Sequence, residues 1–391
     1  MPLSWISEEL AAIERRSLKR SLRIVDGTQG ARITVEGKPS LNFSSNNYLG
    51  LACHAQVIKA AAEALQRWGA GAASSRLIGG SLRVHQDLEA SLAVFMRKQA
   101  CLLFPSGYMA NLGVVASLAG AGDAVILDRL CHASLIDAAR LSGARLLVYR
   151  HHDAEDAERA LKRAMSYRRK LLITESLFSM NGDFAPLRRL AELCRIYGAM
   201  SLLDEAHAIG AWGYRGRGAL GMEGMDNSWD WIVGTLSKSF GSQGGFVAGS
   251  RDGIDFLINK ARSFIFTTGL APACAAAAQA SLSLIQEDAA PRVHLQKLST
   301  RLRDGLRLQG WDILGSESHI VPVLLGEAEQ AGRAAERLRS AGIYAPAIRP
   351  PTVHAGECRL RFSVTAEHSE EDIEQALQAM ESITPKVGRG G

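Results

Sequence analysis

Apolar residues gather in short runs at 100–104, 124–127, 146–149, 171–174, 201–203 and 231–234. Between them, at 112–118, 134–141, 155–165 and 187–197, apolar residues recur every three or four positions. Continuous apolar runs of this length mark strands buried on both faces, and the 3.6-residue period marks helices with one buried stripe. Their alternation predicts an α/β domain built on a largely parallel sheet covered by helices. Pro186 at the start of one helical stretch and Gly198 just past its end fit the known asymmetry of helix termini.

The pattern changes near residue 269. Helical stretches follow at 271–287 and 290–309, then strands at 320–325, 343–348 and 358–365, with further helices at 327–341 and 368–382. This grouping predicts a smaller α+β domain. The expected division is therefore an N-terminal helix with short strands at 1–40, a large domain at 41–269, a small domain at 270–384 and a frayed tail at 385–391. The N-terminal 21 residues read as a charged amphipathic helix without the apolar run of a signal peptide. The stretch 271–284 is alanine-rich and interrupted by Gln279, so it reads as a packed helix, because a membrane span needs about 20 continuous apolar residues.

Composition narrows the class only a little. Of 391 residues, 47% are hydrophobic and 22% charged, as in ordinary soluble proteins. The net charge of +5 suits anionic small ligands, and no Lys/Arg run is dense enough to argue for nucleic acid. Cys53, Cys101, Cys131, Cys194, Cys274 and Cys358 are scattered and form no CxxC pair. Reduced cysteines and a cytoplasmic location are expected.

The chemistry concentrates in two places. In Gly234-Thr235-Leu236-Ser237-Lys238-Ser239-Phe240-Gly241 a lysine follows an apolar strand among small and hydroxyl residues. Small neighbours admit a bulky aldehyde to the amine, and a lysine that forms Schiff bases needs such a setting; the alternative is a tight loop with an incidental lysine. The second place is Ser201-Leu202-Leu203-Asp204-Glu205-Ala206-His207, a buried strand ending in two acids and a histidine. Ligands of open α/β sheets gather at the carboxyl ends of strands. A carboxylate there can hold a protonated pyridine nitrogen. A nucleotide-hydrolysing reading fails because no GxxxxGK[ST] loop precedes it, and a metal reading lacks further ligands.

With Asp204-x-x-His207 followed by Thr235-x-x-Lys238, the chain resembles the α-oxoamine synthases, within the fold-type-I (aspartate aminotransferase-like) pyridoxal-phosphate enzymes. The resemblance runs from Leu41-Asn42-Phe43-Ser44-Ser45-Asn46-Asn47-Tyr48-Leu49-Gly50 to Arg359-Leu360-Arg361. It implies pyridoxal 5'-phosphate as cofactor, with Lys238 as the Schiff-base lysine and Asp204 on the pyridinium nitrogen. His207 is implied on the phenolic oxygen, Ser179 and Thr235 on oxygen or phosphate, and His132 stacked on the ring. A helix-capping or core histidine is the alternative for His132. Gly107 and Tyr108 begin a helix after a strand, where backbone N–H groups bind phosphate. Thr267 and Thr268 match a hydroxyl pair that reaches the phosphate from a second subunit, so a homodimer is implied. Glu175 and Ser176 end another strand and are expected to line the site.

For substrate, Arg361 matches the arginine that grips an amino acid's carboxylate, a task suited to its planar fork, and Asn46 is expected nearby. Arg20 and Thr352 match positions of the acyl-substrate region, with Lys19 and Arg23 as alternatives to Arg20 and a solvated helix face as the alternative for Arg20, Thr352 and Arg361. The blocks Ser106-Gly107-Tyr108-Met109-Ala110-Asn111 and Ala347-Ile348-Arg349-Pro350-Pro351-Thr352-Val353 are similar to those of family members that use L-alanine and pimeloyl-CoA or pimeloyl-acyl-carrier protein. His354 and Leu82-Arg83-Val84-His85 depart from that pattern and bear on acyl-chain preference. The rival readings are the sibling reaction of glycine with acetyl-CoA and a non-enzymatic regulator. Such regulators carry an added helix-turn-helix, for which no length is expected before the first block.

Overall fold

The computed structural model of the chain describes residues 3–383 apart from 224, 226 and 227. The predicted frayed tail at 385–391 lies outside the described residues. Two compact units emerge, one of residues 49–179 and 184–292 and one of 3–48, 180–183 and 293–383.

The larger unit is built on a seven-stranded sheet. Its spatial order is Ala100–Phe104, Gly245–Gly249, Trp231–Thr235, Met200–Asp204, Lys170–Glu175, Ala124–Asp128 and Arg145–Tyr149. The pairs from Trp231–Thr235 to Arg145–Tyr149 are parallel, whereas Gly245–Gly249 runs antiparallel to both its neighbours. Every residue of Ala124–Asp128 and Trp231–Thr235 is buried, which is why these strands read as unbroken apolar runs. Gly245–Gly249 was not among the predicted strands, since two of its five residues are glycines, which are poor strand formers. Packing requires both: a Cβ on Gly245 would meet the backbone of Gly107 at 2.5 Å, and one on Gly249 would meet the Trp231 ring at 3.0 Å.

The helices follow their caps. Ser106 accepts from Met109 N and opens Gly107–Leu118, one turn earlier than the apolar period alone suggests. His132 caps Ala133–Ser142, and Gly143 ends it in the left-handed region. Gly198, at φ 56, closes Leu187–Tyr197 in the same way. The alanine-rich stretch forms Pro272–Glu287, packed against Ala55–Trp68 and Arg83–Phe95 within this unit. No helix among the described residues is long and apolar enough to cross a membrane.

In the smaller unit, Val25–Asp26, Arg32–Val35 and Lys38–Asn42 form an antiparallel ribbon. The predicted strand at 343–348 is in fact two strands. Ile343–Tyr344 pairs parallel to Lys38–Asn42, while Ala347–Ile348 pairs antiparallel to Cys358–Ser363 in a second sheet with Ile320–Gly326. Pro346, which has no N–H to donate, stands at the break. Ala328–Ser340 and Glu370–Glu381 are helices close to the predicted limits. The helix Ser4–Arg15 has no buried residue.

Candidate active site

Parallel strands end side by side, and the chemistry of the larger unit collects there. Glu175 and Asp204 are the last residues of Lys170–Glu175 and Met200–Asp204 and are direct partners in the register. Both are buried. Beside them opens a cavity of about 230 Å³, lined by Ser106, Gly107, Tyr108, Asn111, His132, Ser134, Glu175, Asp204, His207, Thr235, Ser237 and Lys238, among others. A larger depression of about 790 Å³ lies at the opposite, starting end of Met200–Asp204, beside Ser201 and Asp230, and holds none of the sequence-predicted site residues.

Inside the cavity the polar groups are already arranged. Lys238 Nζ lies 2.9 Å from His207 Nε2. Asp204 Oδ1 accepts from the backbone N–H of Ala206 at 2.8 Å, and its Oδ2 accepts from Asn111 Nδ2 at 2.8 Å. Asn111 Nδ2 also donates to Ser134 Oγ at 2.9 Å, and Asn111 Oδ1 is buried with no hydrogen-bond partner among the described residues. Glu175 Oε1 accepts from the N–H of His132 at 2.5 Å. Burial first, and then the charge of Asp204, pushes the Glu175 carboxyl up to about 8. One of two adjacent carboxyls therefore keeps its proton near neutral pH.

His132 is both a helix cap and part of the cavity lining. Its Nδ1 accepts from Ser134 N at 3.2 Å as a helix cap, and its side chain lines the cavity. Thr235 Oγ1 donates to Gly244 O at 3.0 Å and sits 2.7 Å from Ser237 Oγ. Gly107 starts its helix so close to Thr235 and Gly245 that a side chain on either glycine would collide or crowd. The start of that helix, at Ser106, Gly107 and Tyr108, lines the cavity, and a helix N-terminus is a favourable place for an anion. Tyr108 is half-exposed, and its hydroxyl donates to Asp137 Oδ2 at 2.6 Å.

Ser176 is buried behind the cavity, donating to Glu205 at 2.7 Å. Ser179 is also buried, but neither it nor Thr267 nor Thr268 lines the cavity. Thr268 forms an isolated bridge with Ser75. Of the five sequence-predicted substrate residues, His132 lies in the larger unit, and Arg20, Asn46, Thr352 and Arg361 belong to the smaller one. There Arg361 meets Asn46, with Nη1 and Nη2 each 3.4 Å from Asn46 Oδ1. Arg20 Nη2 donates to Pro350 O at 2.8 Å, at the turn in which Thr352 N donates to Arg349 O. Lys19 and Arg23 point their side chains to Glu14 and Glu36. Asn111, Ser134 and Ser237 were not read from sequence as site residues; only the spacing of Asn111 one turn after Gly107 could have hinted at its place.

The sequence matches the family described as aminotransferase class I and II over residues 38–380. The chain belongs to that family. Among curated members it is 45% identical, over 98% of both chains, to the 8-amino-7-oxononanoate synthase of Geobacter sulfurreducens. Its fold is shared with a serine palmitoyltransferase from S. paucimobilis carrying a bound PLP–myriocin aldimine, at TM-score 0.93 and 32% identity, covering 98% of this chain and 97% of that one. The 8-amino-7-oxononanoate synthase of Francisella tularensis matches at TM-score 0.76 and 27% identity, covering 88% of this chain and 97% of that one. The mostly parallel sheet of this chain is thus that of a fold-type-I class I and II aminotransferase relative.

Proposed function

We propose that this chain joins L-alanine to a pimeloyl thioester, either pimeloyl-CoA or pimeloyl-acyl-carrier protein. The products are carbon dioxide, the free thiol and 8-amino-7-oxononanoate, for biotin biosynthesis, and the cofactor is pyridoxal 5'-phosphate. The clustering of Lys238, His207 and Asp204 in one cavity carries the chemistry. The 45% identity to a synthase of that name carries the choice of substrates.

The residues fit the cofactor. Asp204, with both oxygens anchored, would hold the ring nitrogen, and His207 the phenolic oxygen. The bare helix start at Gly107 and Tyr108, with Thr235, would take the phosphate, while His132 would lie on the ring face and Glu175 would fix His132 from behind. Bound there, pyridoxal phosphate supplies an electron sink for charge left on the amino acid's α-carbon. Lys238 Nζ takes the α-proton, oriented by His207. Arg361 and Asn46 would hold the amino acid's carboxylate, and Arg20 and Thr352 would meet the acyl chain. Thr267 and Thr268 would serve the phosphate site of a second copy in a homodimer. All six cysteines are free, in keeping with work in the cytoplasm.

The serine palmitoyltransferase fold match supports one other pairing, serine with palmitoyl-CoA. Thiol release is to be measured with the purified holoenzyme on alanine with pimeloyl-CoA, glycine with acetyl-CoA, and serine with palmitoyl-CoA. The first pair is expected to exceed the others at least about tenfold in kcat/KM. Turnover confined to either other pair overturns the substrate assignment. Lys238→Ala is expected to lose both turnover and the visible absorbance of the bound cofactor; retention of both overturns the chemistry.

A further inference from the structure

Tyr48 is wholly buried in the smaller unit, with its ring edge-on to His319 at a centroid distance of 3.9 Å. Its backbone is pinned independently of its hydroxyl. Tyr48 O accepts from Ala366 N at 2.8 Å, and five residues earlier Phe43 O accepts from Ser363 N at 2.8 Å. A phenol buried this deeply needs partners for its oxygen. It donates to Asn46 Oδ1 at 3.0 Å and accepts from Arg361 Nη2 at 3.4 Å. Burial raises the phenol's pKa and outweighs the opposing pull of Arg361, so the hydroxyl keeps the proton it donates.

Arg361 lies on the strand Cys358–Ser363 and is 5% exposed. Residues 361 and 363 share one face of that strand, since side chains alternate, and Arg361 Nη1 donates to Ser363 Oγ at 2.8 Å. The guanidinium therefore touches three neutral oxygens, those of Ser363, Asn46 and Tyr48. A bidentate grip on a carboxylate depends on the plane of the guanidinium, and three fixed acceptors set that plane before any substrate arrives. Asn46 alone cannot do so, because one oxygen shared by Nη1 and Nη2 leaves the fork free to tilt about it.

We propose that Tyr48 is a positioning residue for Arg361, its hydroxyl locking the guanidinium in the plane that receives the amino acid's carboxylate. The inference rests on the reading of Arg361 as the carboxylate grip. Tyr48→Phe removes only the hydroxyl. It is expected to weaken binding of the amino acid to the cofactor-loaded enzyme about three- to tenfold, the range of one hydrogen bond. Binding is read from the absorbance change on adding alanine, or whichever amino acid turns over, without thioester. In turnover the amino-acid KM should rise by the same factor, with kcat and the thioester KM within about twofold.

Ser363→Ala is expected to act in the same direction, and Tyr48→Phe should add less in an Arg361→Lys background than in the wild type. If Arg361→Lys leaves amino-acid binding unchanged, the reading of Arg361 has failed. If Arg361→Lys weakens binding while Tyr48→Phe does not, that reading stands and the positioning role is overturned. Equal rises in both KM values with a fall in kcat would mark a merely structural tyrosine and overturn it as well.

Discussion

Two neighbouring acids, Asp204 and Glu205, face opposite fates. Asp204 lines the cavity, while Glu205 is 0% exposed and is spent on structure. It accepts from Ser176 Oγ at 2.7 Å and from the N–H groups of Ala219 and Leu220 at 3.1 Å, tying the ends of two strands to the start of the short helix Ala219–Glu223. Burial pushes Glu205 up to about 7, above its ordinary 4.5. Between those values the folded chain keeps a proton that the unfolded chain gives up, so stability falls as pH rises from about 4.5 to 7 and then levels. The fall is on the order of 3 kcal/mol. Glu205→Gln keeps an acceptor and removes the ionisation. Its melting temperature is expected to gain on the wild type between pH 5 and pH 8, and parallel curves in thermal melts at several pH values would refute this. Sequence revealed the acid-acid-small-histidine strand end, and resemblance selected Asp204 as the cofactor acid. It was silent on Asn111, because an asparagine inside an apolar helix has no local signature; its meaning comes from a partner 93 residues away.

Elements show where local pattern suffices and where it fails. Strands buried on both faces are legible as apolar runs, and the helices Ala133–Ser142, Ala154–Arg163 and Leu187–Tyr197 are legible to within a turn, whereas Ala55–Trp68 and Arg251–Lys260 are not among the predicted helices. The strand Gly245–Gly249 was illegible because close approach to the helix start at Gly107 replaces side chains with hydrogen atoms. Gly245→Ala would place a Cβ 2.5 Å from Gly107 N and 2.6 Å from Ser106 C, neither of which can move without shifting the turn that starts the helix Gly107–Leu118. A loss of about 2–4 kcal/mol in urea unfolding is expected, together with weaker uptake of pyridoxal phosphate. Gly332, in the helix Ala328–Ser340, is the contrasting case, since nothing lies within 4 Å of a Cβ there. Gly332→Ala should stabilise by about 0.5–1 kcal/mol. Similar losses at both glycines would contradict the argument from close approach.

At the scale of the whole molecule, the two units answer acid with opposite sign. Glu175 and Glu205 in the larger unit carry raised pKa values of about 8 and about 7, so both stabilise it as pH falls from 8 toward 5, against the opposing contribution of His85 and His132, which burial lowers. In the smaller unit His368 is stacked on Phe43 at 4.4 Å, and burial lowers it to about 4. Below about 6.5 its unfolded form binds a proton that the folded form refuses, so His368 costs the smaller unit up to about 3 kcal/mol as pH falls from 6.5 to 4, against an opposing contribution from Glu367, which burial raises. Hydrogen exchange, corrected for intrinsic rates, is expected to show protection at pH 5 lower in Cys358–Ser363 and higher in Met200–Asp204 than at pH 7.5. Changes of one sign in both strands would refute it. Sequence order sets residues 1–40 apart from the C-terminal region, because pairing between distant segments leaves no mark in a local window; here Arg32 and Asp372 touch across 340 positions. That long pairing has a cost in time. During synthesis the edge of Lys38–Asn42 stays open until Ile343–Tyr344 is made about 300 residues later. At ribosomal rates that interval is roughly 15 to 60 seconds. Until then Lys38–Asn42 presents an unpaired strand edge, the kind of surface that invites pairing with the wrong chain.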